Sequence, residues 1–368
     1  MNSTLLVAAL IAGPLVFTAL VIPLIRRLAW GLNLVDHPAA GDHKSHQRPT
    51  PYGGGMAIFL VTLLSAVLLL LGALYLLVTG TQLAPGMTGQ MSQISGLLGC
   101  ASVLFLIGLI DDWRGLPALP RLLIEIAAAG VLVVHVPAFR FPFLGEQALG
   151  SVLPSVLWIV ALTNAFNFLD NMDGLTGGMA AFALAGLGLM ALHADHLPGA
   201  ALSLVLIGAL VGFLLYNFPP ASVFMGDAGG LFLGFMVSGL SVLLSHSLSG
   251  PGFHPAHQFA PLLVLSVPLY DLVTVLGIRL RAGAPPWVGD NNHISHRLVR
   301  RGLPRREAVL VIYGATLLTG VPCLLTLWSH TWTGWLLLLL LPAAAGVVAT
   351  LDLGDSSLAP DNRGHNPQ

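Results

Sequence analysis

Long apolar stretches, separated by short polar connections, run along almost the whole chain. A helix needs about 20 apolar residues to cross the hydrocarbon core of a bilayer. The pattern therefore predicts an all-α polytopic membrane protein with about 11 transmembrane helices. The predicted spans lie near residues 3–25, 53–79, 94–110, 121–137, 151–169, 174–192, 199–218, 228–248, 259–279, 307–328 and 333–350. We treat 1–350 as one integral membrane domain and expect the polar tail 351–368 to be disordered.

Composition supports the same class. Of the 368 residues, 55% are hydrophobic and only 8% are charged, whereas soluble domains carry roughly 25% charged residues. The formal net charge of −1 indicates nothing about partners. Because the chain has no basic domain, we do not expect nucleic acid as a partner. Cys100 and Cys323 lie far apart in apolar stretches, which indicates neither a disulfide framework nor a thiolate metal site.

The placement of the basic residues orients the predicted spans. All fifteen Lys and Arg residues except Arg140 fall after an odd-numbered span. Because short cytoplasmic connections are enriched in Lys and Arg, this side is expected to be cytoplasmic. The N-terminus is then outside, and the C-terminus is inside.

Unusual polar residues gather on the same side. Ionisable groups at membrane depth are costly, at about 2.5–3.5 kcal/mol each on insertion scales, so such a cluster indicates a site. The connections concerned include Asp36–His46, Asp111-Asp112, Asn164–Asp173, Gly226-Asp227 and Asp290–Arg306. We expect an active site that faces the cytoplasm, where nucleotide-activated substrates are found.

Asp111 and Asp112 follow the third span directly. Adjacent carboxylates resist joint ionisation unless a cation neutralises them. The pair could hold Mg²⁺, or one member could act as a base. A solvated helix end is an equally good interpretation of these two residues alone.

The series Asn164-x-x-Asn167-x-x-Asp170-x-x-Asp173-Gly174 is less ordinary. Residues three apart are neighbours on an α-helix, but the series drifts around the axis. We therefore predict that the helix ends near Asn171–Asp173, where glycines follow. This would leave a row of oxygen ligands and hydrogen-bond donors at the membrane surface. The alternative is a polar helix end without a function.

Asp227 precedes the eighth span within Phe224–Gly230. It could simply cap that helix. A functional interpretation uses the same geometry, since a glycine-rich helix start attracts phosphate and a carboxylate can hold Mg²⁺.

The last polar connection supplies cations and two histidines. Positive-inside topology by itself explains its arginines, which include Arg297 and Arg300. It does not explain His293 and His296. Two histidines without a nearby acidic ligand form a weak metal motif, so contact with phosphate is favoured.

Together these groups are typical of Mg²⁺-dependent phosphoryl chemistry at the headgroup level. Two other classes stay open. An intramembrane aspartyl protease would use Asp227 and Asp271, but it leaves the Asn164–Asp173 series and the histidines unexplained. A transporter would place its polar residues at the bilayer midplane.

The chain resembles the polyprenyl-phosphate N-acetylhexosamine-1-phosphate transferases, and within them the undecaprenyl-phosphate GlcNAc-1-phosphate branch, a family related to the peptidoglycan translocase. The resemblance extends from about Asp36 to Arg306. The matching motifs are Asp36-x-Pro38, Lys44-x-His46-x-x-Pro49-x-Pro51 with Gly53-Gly54, Asp111-Asp112 with Leu116, Asn164-Ala-x-Asn167-x-x-Asp170-x-x-Asp173-Gly174-Leu175, Phe224-Met225-Gly226-Asp227 with Gly234-Phe235, Pro268-x-x-Asp271, and His293-Ile294-x-His296.

The resemblance implies a bacterial cytoplasmic-membrane enzyme of ten or eleven helices. It further implies a UDP-sugar donor, most simply UDP-GlcNAc, undecaprenyl phosphate within the membrane lipid as acceptor, and UMP as leaving product. The implied cofactor is Mg²⁺, with Mn²⁺ as a substitute. The product would start a cell-envelope polysaccharide, and a homodimer is an open alternative to a monomer.

The resemblance also implies roles for individual residues. Asp227 would be the principal Mg²⁺ ligand, with Asp112 and Asn167 as further metal contacts. The implied catalytic carboxylates are Asp111, Asp112, Asp170 and Asp173, of which Asp111 is the candidate for deprotonating or orienting the lipid phosphate. The implied substrate-binding residues are Lys44, His46, Arg121, Asn164, Asn167, His293, His296 and Arg297.

Four positions depart from the family pattern. Asn171 stands where Gly is frequent, and Ser295 stands where His is frequent. Arg121 and Glu125 replace the usual Lys and Gln. These positions lie near the expected sugar site, so the sequence leaves the donor sugar and the polymer served open.

Overall fold

The computed structural model describes residues 3–36, 49–80, 82–144, 149–285, 290–329, 332–336 and 339. Helices make up most of this part of the chain. They are α1 (Ser3–Gly31), α2 (Gly54–Val78), α3 (Met87–Arg114), α4 (Ala118–His135), α5 (Leu149–Leu169), α6 (Leu175–His193), α7 (Leu197–Asn217), α8 (Gly226–Ser247), α9 (Ala260–Leu263), α10 (Ser266–Arg281), α11 (Ile294–Arg300) and α12 (Arg305–Leu325).

The predicted helical, multi-span class is confirmed. Within the described residues, nine helices are long and apolar enough to cross a membrane, namely α1–α8 and α12, and a tenth span results if α9 and α10 are counted as one. The predicted spans 3–25 to 228–248 and 307–328 each overlap one of these helices. The last predicted span, 333–350, lies mostly outside the described residues, and the tail 351–368 lies wholly outside them.

The predicted ninth span, 259–279, is not one straight helix. It is bent by 56° between α9 and α10. Pro268 stands in the first turn of α10, where its missing N–H would have no helical partner in any case. A proline there starts a new helix more readily than it continues an old one.

Helix α8 forms the centre of the bundle. Its most apolar window is completely buried, and it packs mainly against α3 and α5. The outer helices show the opposite pattern, with exposed apolar side chains such as Leu20, Leu68 and Leu215. An apolar exterior is expected where hydrocarbon rather than water surrounds the protein.

Glycines allow the start of α8 to approach its neighbours closely. A Cβ atom on Gly108 of α3 would lie 2.5 Å from the Asp227 carbonyl oxygen. A Cβ atom on Gly55 of α2 would lie 2.3 Å from the Gly229 backbone nitrogen. Small residues bring membrane helices into backbone contact in this way. Side chains carried by α3 can therefore reach the first turn of α8.

A short antiparallel ribbon joins the ends of segment 37–48. It pairs β1 (Val35–Asp36) with β2 (Thr50–Pro51). A parallel bridge between Tyr52 and Phe224 then attaches the ribbon to the connection before α8. Lys44 and His46 lie outside the described residues, so their predicted contacts with substrate stay predictions.

Among the described residues, Arg140 is the Lys or Arg residue that departs from the predicted charge pattern, and it has a structural role. Arg140 donates hydrogen bonds from Nε to the Val133 carbonyl at 3.0 Å and from Nη2 to the Val134 carbonyl at 2.7 Å. These carbonyls belong to the last turn of α4, where basic side chains satisfy free carbonyls. The exception to the charge pattern is thus a helix cap.

Candidate active site

Asp112, at the end of α3, binds the first turn of α8. Its Oδ1 accepts a hydrogen bond from the Asp227 backbone N–H at 2.7 Å, and its Oδ2 accepts one from Ala228 at 3.1 Å. The first backbone N–H groups of a helix have no partner within the helix. Asp112 therefore caps α8, although it lies 115 residues away in sequence. This contact places the Asp111-Asp112 pair next to Asp227.

Asp111 is held by a different set of contacts. Its Oδ1 accepts a hydrogen bond from the Leu116 N–H, and its Oδ2 accepts one from Arg121 Nη1, both at 2.6 Å. The Asp111 side chain is 6% exposed. Two hydrogen bonds therefore fix the orientation of this buried carboxylate beside the Arg121 guanidinium.

Arg121 lies among three carboxylates. Its Nη1 is 3.8 Å from Asp227 Oδ1, and its Nε is 3.7 Å from Glu125 Oε1. The other oxygen of Glu125 accepts a short hydrogen bond from Asn164 Nδ2, while Oε1 has no hydrogen-bond partner. Arg121 and Glu125, which replace the usual Lys and Gln of the family, thus form one cluster with Asp111. Asn164 supports this cluster from α5.

Asn167 orients Asp227. Its Nδ2 donates a hydrogen bond to Asp227 Oδ1 at 2.7 Å. The Asp227 side chain is 37% exposed, much more than that of Asp111. Asp227 therefore presents its carboxylate towards the opening of the cluster.

The α5–α6 connection contributes two further aspartates. Burial, followed by the nearby Asp227 carboxylate, raises the pKa of Asp170 to about 7, against a backbone hydrogen bond from Gly226 that lowers it. Asp173 Oδ2 accepts a hydrogen bond from the Ala221 N–H at 2.9 Å. Asp170 thus faces the cluster, whereas Asp173 fastens this connection to the one between α7 and α8.

The helix break predicted in this connection is confirmed. Helix α5 ends at Leu169, and Gly174 has a φ of 77°, which favours glycine. The Gly174 N–H donates a hydrogen bond to Asn217 Oδ1 at 2.8 Å, and Tyr313 donates one to the Gly174 carbonyl. Helices α7 and α12 therefore fix the turn that carries Asp170 and Asp173.

The histidine segment is anchored by Asp271 of α10. Its carboxylate pairs with His293 Nδ1 at 2.6 Å and accepts a hydrogen bond from the Ile294 N–H at 2.7 Å. His293 is 4% exposed, and its ring lies 6.4 Å from that of Phe168. The segment is thereby placed beside the end of α5. The carboxylate expected of a protease is occupied by these contacts.

Arg297 lies inside this connection. It is 3% exposed, and its guanidinium donates hydrogen bonds to the Asn292 carbonyl and to Thr274 Oγ1. The structure places it in the support of the histidine segment. Its predicted contact with substrate stays a prediction.

His296 has a neutral ring at physiological pH. Burial, together with the positive charges of His293, Arg300 and Arg305, lowers the pKa of His296 to about 4. A negatively charged ligand would oppose these causes and favour protonation. The imidazole can therefore respond to a phosphate that arrives beside it.

We expect acid to destabilise the protein partly through His296. Its pKa is 6.5 in the ordinary case and about 4 in the folded chain, so between these values the unfolded state binds the additional proton. Stability is then lost as the pH falls from 6.5 to about 4. His296→Gln should lose less stability over this range in detergent thermal unfolding. The exposed His135 offers the control His135→Gln. Equal acid sensitivity in wild type and His296→Gln would contradict the expectation.

Sequence reasoning did not identify Tyr52 as part of this site. Its hydroxyl bonds the Asp36 carboxylate, and burial followed by Asp36, Asp112 and Asp227 raises its pKa. The only available signal was its position between the Pro51 and Gly53 motif positions. Asp271 and His293 were both identified as motif residues, but the sequence did not indicate that they pair with each other.

The donor set fits Mg²⁺. Asp111, Asp112 and Asp170 all lie within electrostatic range of Asp227, and Arg121 alone cannot balance them. Among the described residues, no three His, Cys, Asp or Glu side chains form a closed metal site. Mg²⁺ usually takes only one or two carboxylates and completes its shell with waters and substrate phosphates. The accessible Asp227 carboxylate offers such a site.

Comparison with known proteins gives a consistent result. Residues 94–245 match the profile described as glycosyl transferase family 4. The chain is 34% identical, over 80% of its length and 78% of the relative's, to a protein of Bacillus subtilis (strain 168) named "Probable undecaprenyl-phosphate N-acetylglucosaminyl 1-phosphate transferase". It is 34% identical to the decaprenyl-phosphate N-acetylglucosaminephosphotransferase of Mycobacterium tuberculosis (strain ATCC 25618 / H37Rv), over 78% of this chain and 74% of that one.

A third relative covers more of the chain. The undecaprenyl-phosphate alpha-N-acetylglucosaminyl 1-phosphate transferase of Escherichia coli (strain K12) is 29% identical over 88% of this chain and 85% of its own. The similarity therefore includes both the carboxylate cluster and most of the helical bundle around it.

Proposed function

This chain belongs to glycosyl transferase family 4, and we propose that it transfers GlcNAc-1-phosphate from UDP-GlcNAc to undecaprenyl phosphate, releasing UMP. It is a polyprenyl-phosphate GlcNAc-1-phosphate transferase of the kind its relatives are named for. The observation that carries the proposal is the cluster of carboxylates at the first turn of α8. It lies within a chain that matches these transferases over most of its length.

The proposed reaction exchanges one phosphorus–oxygen bond for another. An oxygen of the polyprenyl phosphate forms a bond to the phosphorus that carries the sugar. The bond from that phosphorus to the UMP oxygen breaks, and UMP leaves. Direct attack and a covalent aspartyl intermediate would both use carboxylates in this position.

Mg²⁺ is the cofactor that this site supports best, with Mn²⁺ as a substitute. Asp227 would hold the ion, Asp112 lies close enough to assist, and Asn167 orients the Asp227 carboxylate. When bound, the ion neutralises charge on the donor diphosphate. Asn167 and Asp112 as direct ligands stay predictions.

The remaining groups act on one or the other of the two substrates. Asp111, held in place by Arg121, can orient or deprotonate the lipid phosphate. Arg121 can stabilise negative charge that develops between the phosphates. Asp170, with its pKa of about 7, can hold or release a proton near neutrality. We propose that His293 and His296 meet the sugar and its phosphate.

We propose a bacterial inner-membrane location with this site on the cytoplasmic side. The support is the positive-inside distribution of Lys and Arg, strengthened by the capping role of Arg140. The lipid would reach the site from the bilayer, and the nucleotide sugar from the cytoplasm. A single catalytic domain over 1–350, a homodimer and a role in starting a cell-envelope polysaccharide stay predictions.

Two alternatives differ in what they require. Another UDP-N-acetylhexosamine could serve as donor, since the departures at Asn171 and Ser295 lie near the proposed sugar site. A transporter is less favoured, because the clustered aspartates lie at the ends of helices rather than at their middles. They are Asp111, Asp112, Asp170 and Asp227.

The test is a UMP-release assay with purified protein in detergent. With undecaprenyl phosphate and Mg²⁺, we expect UMP from UDP-GlcNAc and much less from the other UDP-sugars of a panel. Chelation by EDTA should abolish release, and Mg²⁺ or Mn²⁺ should restore it. A preparation that is folded by thermal unfolding, yet releases no UMP from any donor, would refute the transferase proposal for these substrates.

A further inference from the structure

Asn171 and Ser295 contact each other directly. Ser295 Oγ donates a hydrogen bond to Asn171 Oδ1 at 2.7 Å, and Asn171 Nδ2 donates one to the Phe168 carbonyl at 2.8 Å. Both ends of the Asn171 amide are therefore occupied, and its orientation is determined. Ser295 is completely buried, so the hydroxyl is shielded from competing water.

This contact joins two functional segments. Asn171 lies between Asp170 and Asp173, and Ser295 lies between His293 and His296. The bond thus connects the aspartates of the α5–α6 connection with the histidines at the start of α11. These positions are 124 residues apart in sequence.

The start of α11 is held from two sides. Asp271 holds it from α10 through His293 and the Ile294 N–H, while Asn171 holds it from the α5–α6 connection. Ile294 also belongs to a buried apolar cluster that includes Leu169 and Met172. Apolar packing keeps the segment attached, but it is not directional. The hydrogen bonds decide how the helix is rotated, and so where His296 points.

The geometry favours an effect on the donor rather than on the lipid. Asn171 and Ser295 both lie outside the candidate membrane spans, at the same end of the bundle. A nucleotide sugar approaches from water at this end, whereas the polyprenyl chain stays in the bilayer.

We propose that Asn171 and Ser295 act as a positioning pair: their hydrogen bond holds the histidine segment against the α5–α6 connection and so determines the affinity for the nucleotide-sugar donor. The inference rests on the proposed function and adds two residues to it. Neither residue needs to touch the reacting atoms.

The test is a double-mutant cycle with Asn171→Ala, Ser295→Ala and the double variant. UMP release is measured against the concentration of UDP-GlcNAc and, separately, of undecaprenyl phosphate. Loss of one hydrogen bond should raise KM for the donor about three- to tenfold, with kcat changed by about twofold at most. KM for the lipid should not change. Because Asn171→Ala already removes the bond from Ser295, adding Ser295→Ala to it should raise the donor KM no further.

Controls separate positioning from loss of structure. Ser203→Ala removes a buried hydroxyl at the opposite end of the bundle, where it bonds only its own helix at the Gly199 carbonyl, and it should behave as wild type. Thermal midpoints of all variants should agree within about 3 °C. Ser295→Ala leaves the bond from Asn171 to the Phe168 carbonyl intact, so it isolates the contact between the two segments.

Three results would contradict the proposed positioning role of Asn171 and Ser295. One is an unchanged donor KM in both single variants. Another is an additive effect in the double variant. The third is a change in the lipid KM instead. Calorimetry can measure UDP-GlcNAc binding to wild type, the two single variants and the double variant without turnover. Equal affinities in all four proteins would refute the proposed role. Wild type that binds UDP-GlcNAc but releases no UMP would instead count against the proposed function.

Discussion

Asp227→Asn is expected to lower the rate of UMP release by about 10²–10³-fold. The substitution keeps the size of the side chain and an oxygen that can accept the hydrogen bond from Asn167 Nδ2. It removes the negative charge that would hold Mg²⁺. The loss should therefore appear in kcat and in the Mg²⁺ concentration needed for half-maximal rate, measured with saturating UDP-GlcNAc and lipid.

The fold should survive this change. Asp227 lies within electrostatic range of Asp111, Asp112 and Asp170, so removing one negative charge relieves repulsion rather than breaking a needed ion pair. The thermal midpoint should be equal to that of wild type or higher. Asp195→Asn makes the same chemical change at the opposite end, where Asp195 has a φ of 52° that asparagine tolerates. Near-normal turnover by Asp227→Asn would remove Asp227 from its central role.

Gly108→Ala is expected to reduce turnover by about 100-fold. Its Cβ would lie 2.5 Å from the Asp227 carbonyl oxygen and 2.6 Å from the Ala228 backbone nitrogen. Backbone atoms cannot rotate out of the way as a flexible side chain can, so α3 and the start of α8 must separate. The hydrogen bonds from Asp227 and Ala228 to Asp112 would then lengthen.

The same helix provides a matched control for this prediction. A Cβ on Gly99 of α3 would meet nothing within 4 Å, so Gly99→Ala should keep full activity and gain slightly in helix stability. Measuring UMP release and thermal unfolding for both variants distinguishes a displaced active site from a general loss of stability. If Gly108→Ala is as active as Gly99→Ala, the close approach of α3 to α8 is not needed for the site.

Much of this protein could be predicted from local patterns. The apolar stretches predicted the nine described spans, because hydropathy sums over neighbouring residues and does not depend on packing. The three-residue spacing from Asn164 to Asp173 predicted the end of α5, since such a series cannot stay on one face of a helix. The distribution of Lys and Arg predicted which connections gather at the site end.

Other features depend on contacts between distant residues. No pattern near Asp112 indicates that it caps α8, because that contact requires Gly108 and Gly55 to bring three helices together. The bend between α9 and α10 was missed, since an apolar composition is the same for straight and broken helices. Tyr52 was missed because the bridge to Phe224 places it.

The sequence by itself determined that this is a helical membrane protein with carboxylates, amides and histidines at one end of its spans. It also determined the family, since motif order and spacing persist in the chain. Only the tertiary structure decided which of these groups touch. Asp112 binds α8, Arg121 binds Asp111, and Asn171 binds Ser295. The physical reason is that hydropathy and helix period are local sums, whereas a hydrogen bond is made only where packing brings two groups within about 3 Å.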